Sequence, residues 1–214
     1  MILNYRNYLD LSNCIKSNIH KIQKYDLFVG VPRSGLLVAN LMALLLNKPV
    51  CTVQEMANGL PPQNGFSRKI DDKKFYNNVL VVDDSVNTGK SINYVKEIFK
   101  NKGIDADYCA VYSTSEAIKH VDIVFEIVEK PRIFQWNYFN NSIINSSAVL
   151  FEHIFLSGIK CPKNTNELEC ILTSIQPVLL KNVKIGMIFT GYNKNAADLI
   201  INWLNKYNIE FKIL

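Results

Sequence analysis

Residues 79–91 read Val79-Leu80-Val81-Val82-Asp83-Asp84-Ser85-Val86-Asn87-Thr88-Gly89-Lys90-Ser91. Four apolar residues run directly into two adjacent carboxylates, and a small hydroxyl-bearing turn follows. The apolar run reads as a buried parallel strand, whose carboxyl end is where open α/β sheets bind ligands. The turn offers backbone N–H groups, the Thr88 and Ser91 hydroxyls and a helix N-terminus, which together favour a phosphate. Asp83 and Asp84 cannot hold that phosphate, because like charges repel. They suit sugar hydroxyls, a metal ion, or both. A phosphate on one side and diol-binding acids on the other describe a phosphorylated sugar. A helix cap explains one acid after a buried strand but not two.

The competing reading is a nucleotide-binding P-loop, since Gly89-Lys90-Ser91 completes the second half of that motif. The first half fails. Asp84 stands where a glycine is required, and a carboxylate there would face the β-phosphate.

The stretch resembles the 5-phosphoribosyl-1-pyrophosphate (PRPP) signature of type I phosphoribosyltransferases: a strand, two acids, then Thr-Gly-x-Ser/Thr. A second segment, Leu27-Phe28-Val29-Gly30-Val31-Pro32-Arg33-Ser34-Gly35, is similar to the family's pyrophosphate loop. The two occur in the family's order, and the resemblance covers roughly residues 1–135. It implies a Mg²⁺-dependent transfer of phosphoribosyl from PRPP to an acceptor, with release of pyrophosphate. In that scheme Ser85, Val86, Asn87, Thr88, Gly89, Lys90 and Ser91 hold the 5-phosphate. Asp83 and Asp84 hold the ribose hydroxyls and Mg²⁺, directly or through water. Pro32, Arg33, Ser34 and Gly35 hold the pyrophosphate around a strained peptide, of the cis form in this reading. The polar stretch 54–78 fits the family's mobile catalytic loop. From it Arg68 and Lys69, with Lys73 and Lys74 behind them, are expected to fold over the pyrophosphate, Arg68 as a catalytic residue.

The segment Arg132-Ile133-Phe134-Gln135-Trp136-Asn137 resembles one in phosphoribosyltransferases of bacterial surface-polysaccharide gene clusters. There it leads into a haloacid-dehalogenase (HAD) type phosphatase domain. Here the two HAD aspartates are absent, with Glu152 and Ile154 in the equivalent places, while 185–190 still ends in the HAD-like Thr190. The resemblance implies an inactive, truncated HAD-like remnant that serves packing, dimerisation or the acceptor pocket. Phe134 and Trp136 are the rings expected to stack on an acceptor. This resemblance leans the acceptor toward a sugar or glycan. A nucleobase is the alternative, and a non-catalytic PRPP-binding regulator a further one.

These residues need elements to hold them. The expected fold is α/β: a type I phosphoribosyltransferase-like, mostly parallel twisted sheet flanked by helices over residues 1–135, then a second small α/β unit over 136–214. Expected strands are 27–31, 50–53, 79–82, 108–112 and 123–128. Expected helices are 5–24, 36–46 and 91–102, the last stopped by Gly103. Beyond the boundary the pattern predicts strands 148–154, 185–190 and 209–213 and helices 167–175 and 194–207.

At 214 residues and 48% hydrophobic, the chain has ample material for a core. A net charge of +5 suits an enzyme handling a polyanionic donor. No basic block is interleaved with aromatics, which argues against nucleic acid as a partner. The longest apolar run, 35–46, falls short of the about 20 residues a bilayer requires, so no integral membrane contact is expected. The five cysteines form no C-x-x-C. With no secretory signature, they read as reduced thiols of a cytoplasmic protein. His20, His120 and His153 share no metal-ligand spacing. PRPP, pyrophosphate and a small-molecule or glycan acceptor are the expected partners, with a homodimer as the expected assembly.

Overall fold

The computed structural model describes residues 3–60, 62, 76–156, 159, 161–177 and 184–213. Arg68, Lys69, Lys73 and Lys74 lie outside the described residues. The chain divides into two compact units, Met1–Trp136 and Asn137–Leu214.

The first unit opens with strand β1 (Asn4–Arg6), helix α1 (Tyr8–Asn18) and a 3₁₀ turn (Ile19–Ile22). Asn7 and Asp10 form a capping box that starts α1 three residues inside the expected helix. Next come β2 (Leu27–Gly30), α2 (Ser34–Leu46), β3 (Val50–Thr52) and the short α3 (Val53–Ala57). Then follow β4 (Val79–Val86), α4 (Lys90–Lys102), β5 (Asp107–Ser113), β6 (Ile123–Ile127) and β7 (Arg132–Phe134). Five strands form one all-parallel sheet in the order β3-β2-β4-β5-β6. Both faces are covered. Phe28, Leu80 and Val82 face α1 and α2, while their neighbours Leu27, Val29 and Val81 face α4. That is why these strands read as unbroken apolar runs.

Two differences from the expected elements bear on the site. Strand β4 does not stop at the acids; it continues to Val86, because Asp83, Ser85 and Val86 pair with Ala110, Tyr112 and Ser113 of β5. The segment just before the boundary supplies a strand that the sequence pattern does not predict, β7, which pairs in parallel with β1. The cis peptide anticipated in the pyrophosphate loop lies between Pro32 and Arg33, and a second precedes Pro131.

The second unit contains β8 (Ala148–Leu150), α5 (Phe151–Phe155), α6 (Thr165–Ser174), β9 (Lys184–Phe189), α7 (Lys194–Lys206) and β10 (Glu210–Ile213). Its strands form a parallel sheet in the order β10-β9-β8. The expected strand 148–154 is corrected here. Only Ala148–Leu150 is extended, since Phe151 and Phe155, four apart, bury one face of a helix against Trp203. Glu152 and Ile154 therefore sit on α5, not at a strand end. Among the described residues no helix is long and apolar enough to cross a membrane. All five cysteines are free thiols.

Candidate active site

Strands β2 and β4 are neighbours in register, with Gly30 beside Val82. The turns that follow them therefore emerge side by side at the carboxyl edge of the sheet. The Val31 N–H donates to the Val82 carbonyl at 3.0 Å and ties the two exits together. Gly35 allows the close approach: a Cβ there would lie 2.7 Å from the Val82 oxygen and 3.1 Å from Asp83 Oδ1. The loop 32–35 and the two acids are thus packed against each other.

Asp83 and Asp84 are both buried, at 8% and 3% exposure. Asp83 Oδ1 accepts from the Asp84 backbone N–H at 2.9 Å. Burial, and then the neighbouring Asp84 charge, push the Asp83 carboxyl up to about 8 despite that hydrogen bond. Asp84 is held from two distant parts of the chain. Ser34 Oγ donates to its Oδ1 at 2.8 Å, and the Trp136 indole N–H donates to its Oδ2 at 2.6 Å. Arg132 adds a third long-range tie. Its guanidinium donates to the Val86 and Val128 carbonyls at 2.7 and 3.1 Å, and its charge interacts favourably with Asp84.

Beside Asp83 lies a cavity of about 130 Å³ lined by Ser85, Val86, Asn87, Thr88, Gly89, Lys90, Ser91 and Ile92. The turn itself is only residues 87–89, and Gly89, at φ 73°, sets the left-handed start of α4. Ser85 and Val86 were expected in this loop. They belong to β4, where both still line the cavity, and the Val86 side chain is 2% exposed. Lys90, expected in this loop, lines the cavity. His120 is a neighbour that the sequence conceals. Its ring covers Gly89 so closely that a Cβ there would lie 2.4 to 2.6 Å from three ring atoms. Asn93 Nδ2 sits 3.4 Å from His120 Nδ1.

The two expected acceptor rings part company. Phe134 is buried in the core against Tyr112, with centroids 5.2 Å apart and planes near-parallel. The expectation that it offers an open face is corrected. Trp136 is half-buried, stacks on Phe134 at 5.1 Å, and meets Tyr8 at 5.9 Å. It joins the site through its N–H. Nothing in the spacing of residues 132–137 signals that Arg132 and Trp136 reach back to β4; β1–β7 pairing brings them there.

The family model described as phosphoribosyl transferase domain matches residues 1–143. The chain belongs to the phosphoribosyl transferase domain family. An orotate phosphoribosyltransferase of Staphylothermus marinus is 31% identical over 100 residues, covering 45% of this chain. The match spans about half, 47%, of that relative's length. Among solved structures, a xanthine-guanine-hypoxanthine phosphoribosyltransferase of Helicobacter pylori aligns with a TM-score of 0.50 at 16% identity. It covers 64% of this chain and 93% of that one, a likeness of fold. A purine phosphoribosyltransferase of Pyrococcus horikoshii aligns at 0.48 with 22% identity, covering 64% and 95%.

Proposed function

We propose that this phosphoribosyl transferase domain protein uses PRPP as donor and a nucleobase-type ring as acceptor. The observation that carries the reading is the pair of buried carboxylates, Asp83 and Asp84, set between a phosphate-sized turn and the loop 32–35. The acceptor class rests on the orotate phosphoribosyltransferase relative. The glycan acceptor and the HAD-like second unit, expected from residues 132–137 and 185–190, gain no support from these relatives and enter no step here.

In this reading Asn87, Thr88, Gly89, Lys90 and Ser91 hold the 5-phosphate, with the α4 N-terminus adding its partial charge. The loop 32–35 presents backbone N–H groups and Arg33 to the pyrophosphate, while the Ser34 hydroxyl is held on Asp84 Oδ1. Asp83 and Asp84 take the ribose hydroxyls. They also fit Mg²⁺, because a hard cation offsets the burial and the repulsion that together hold a proton on Asp83, and it needs few carboxylates when substrate supplies oxygens. When bound, Mg²⁺ would neutralise charge developing on the pyrophosphate. The acceptor nitrogen bonds to ribose C1 as the bond from C1 to the pyrophosphate oxygen breaks. That electron pair leaves with pyrophosphate, and the acceptor's proton passes to solvent. Fixed carboxylates near C1 stabilise the cationic sugar that develops between these events. Trp136 stands at the acceptor side through its contact with Asp84. Arg68 and Lys69 retain their proposed role over the pyrophosphate.

The test is pyrophosphate release from PRPP and Mg²⁺ with a panel of orotate, uracil, purine bases and sugar acceptors. Release that depends on one nucleobase class is expected, and a drop of about 10³-fold in Asp84→Asn. Release with a sugar alone would sink the acceptor assignment. Unaltered PRPP binding in Asp83→Asn/Asp84→Asn would sink the donor assignment.

A further inference from the structure

The second unit has a site of its own at the carboxyl edge of its sheet. A cavity of about 580 Å³ lies where β8 and β9 end, lined by Leu150, Glu152, His153, Leu156, Cys161 and Tyr192. Carboxyl edges of parallel sheets are ligand positions, and this volume falls in the range of small-molecule sites.

The charge arrangement selects the ligand. At such an edge, the donors that would ordinarily take an anion are the first N–H and hydroxyl groups past the strand. Here they are occupied. The Thr190 hydroxyl and the Gly191 N–H both donate to Glu152 Oε1, at 2.7 and 2.8 Å. The chain's own carboxylate fills the anion position and leaves the edge negative. Glu152 Oε2 is buried and has no hydrogen-bond partner among the described residues. An unpaired buried carboxylate oxygen is costly unless a donor or a cation reaches it. Tyr192 experiences the same field. Its phenol is pushed above its usual range by burial, by its contact with Cys161, and by the charges of Glu152 and Glu167. Among the described lining residues there is no lysine or arginine to cancel that charge. The rest of the wall includes the Tyr192 ring, the apolar Leu150 and Leu156, and His153 and Cys161; the ring and the aliphatic side chains suit a weakly hydrated cation on an apolar body.

We propose that this cavity is a receptor for a small organic cation, an ammonium or amidinium group on an apolar body, with Glu152 as its counter-ion and Tyr192 as its aromatic wall. The site is separate from the donor site in chemistry and in the residues that form it.

The test is calorimetry and ligand-observed NMR on the whole chain at neutral pH, with benzamidine, benzylamine, benzyl alcohol and benzoate as probes. The two cations are expected to bind saturably and about tenfold or more tighter than benzyl alcohol, with no binding of benzoate. Glu152→Gln should weaken the cations about tenfold, and Tyr192→Ala severalfold. Asp83→Asn/Asp84→Asn should leave them unchanged, which separates this site from the acids of the first unit. If Glu152→Gln does not fold, Cys161→Trp, at an exposed residue of the cavity wall, must block the cations while circular dichroism stays native. Benzoate or benzyl alcohol binding as well as benzamidine overturns the proposal. So does the absence of saturable cation binding, or a loss that follows Asp83 and Asp84 instead of Glu152.

Discussion

In the first unit, Asp83 and Asp84 stand beside the turn 87–89, and neither side chain takes that turn's own donors. Their partners among the described residues include the Asp84 N–H, Ser34 and Trp136. In the second unit, Glu152 turns onto the donors that follow β9, Thr190 and Gly191. Both sites lie at the carboxyl edge of a parallel sheet, so the edge alone does not fix ligand charge. We propose that where the carboxylate spends its lone pairs decides that: turned away from the loop donors, the acids would leave a phosphate seat, and turned onto them, the acid would replace the anion and leave a cation seat.

Four measurements break or sharpen that contrast. Gly89→Ala has the largest expected effect. It forces a Cβ into the His120 ring at a left-handed residue, so PRPP binding should weaken about 100-fold and the fold lose about 1–3 kcal/mol. Adding His120→Ala should restore part of the loss. Full restoration would mean the ring, and not the backbone, sets the turn.

Trp136→Phe keeps the ring stack and removes the N–H, leaving Asp84 Oδ2 without that donor. Catalytic efficiency with PRPP should fall about 10–100-fold, with thermal stability nearly unchanged. A wild-type rate would show that Trp136 merely packs.

Asp83→Asn tests the electrostatic cost of the acid pair. The folded chain holds the Asp83 proton up to about 8, whereas an unfolded aspartate releases it near pH 4. Folding stability linked to this group is therefore complete below about pH 4 and is lost as pH rises through about 8. The asparagine still accepts from the Asp84 N–H and escapes the loss. Urea denaturation of the ligand-free protein should show a gain of about 1–3 kcal/mol at pH 8 and almost none at pH 4. An equal gain at both pH values would place the effect in packing.

Glu152→Ala should convert the second edge toward the behaviour of the first. With Thr190 and Gly191 released, inorganic phosphate should bind weakly, on the order of millimolar, where the wild-type chain binds none. Phosphorus NMR line widths report it. No broadening would mean the two edges differ in more than the placement of one carboxylate.

The strand, turn and helix start of residues 79–91 were legible because the pattern is local. An apolar run, two acids and Thr88-Gly89-Lys90-Ser91 specify a strand, a pair of charges and a turn that opens a helix within thirteen residues. The same holds for Gly103, which ends α4 in the left-handed conformation that its lack of a side chain permits. Residues 148–154 were misread because a short apolar run fits a strand or a buried helix equally well, and packing on Trp203 decides between them.

What the chain determined by itself, then, is the turn 87–89, the acids before it and the β-α alternation that carries them. Tertiary structure decided the partners. Ser34 and Trp136 meet Asp84 across 50 and 52 residues of sequence, Arg132 reaches Val86 across 46, and His120 covers Gly89. Those meetings depend on strand order and register, above all the pairing of β1 with β7. A turn is written in the residues that form it, whereas the neighbour of a turn is fixed by how distant strands pair.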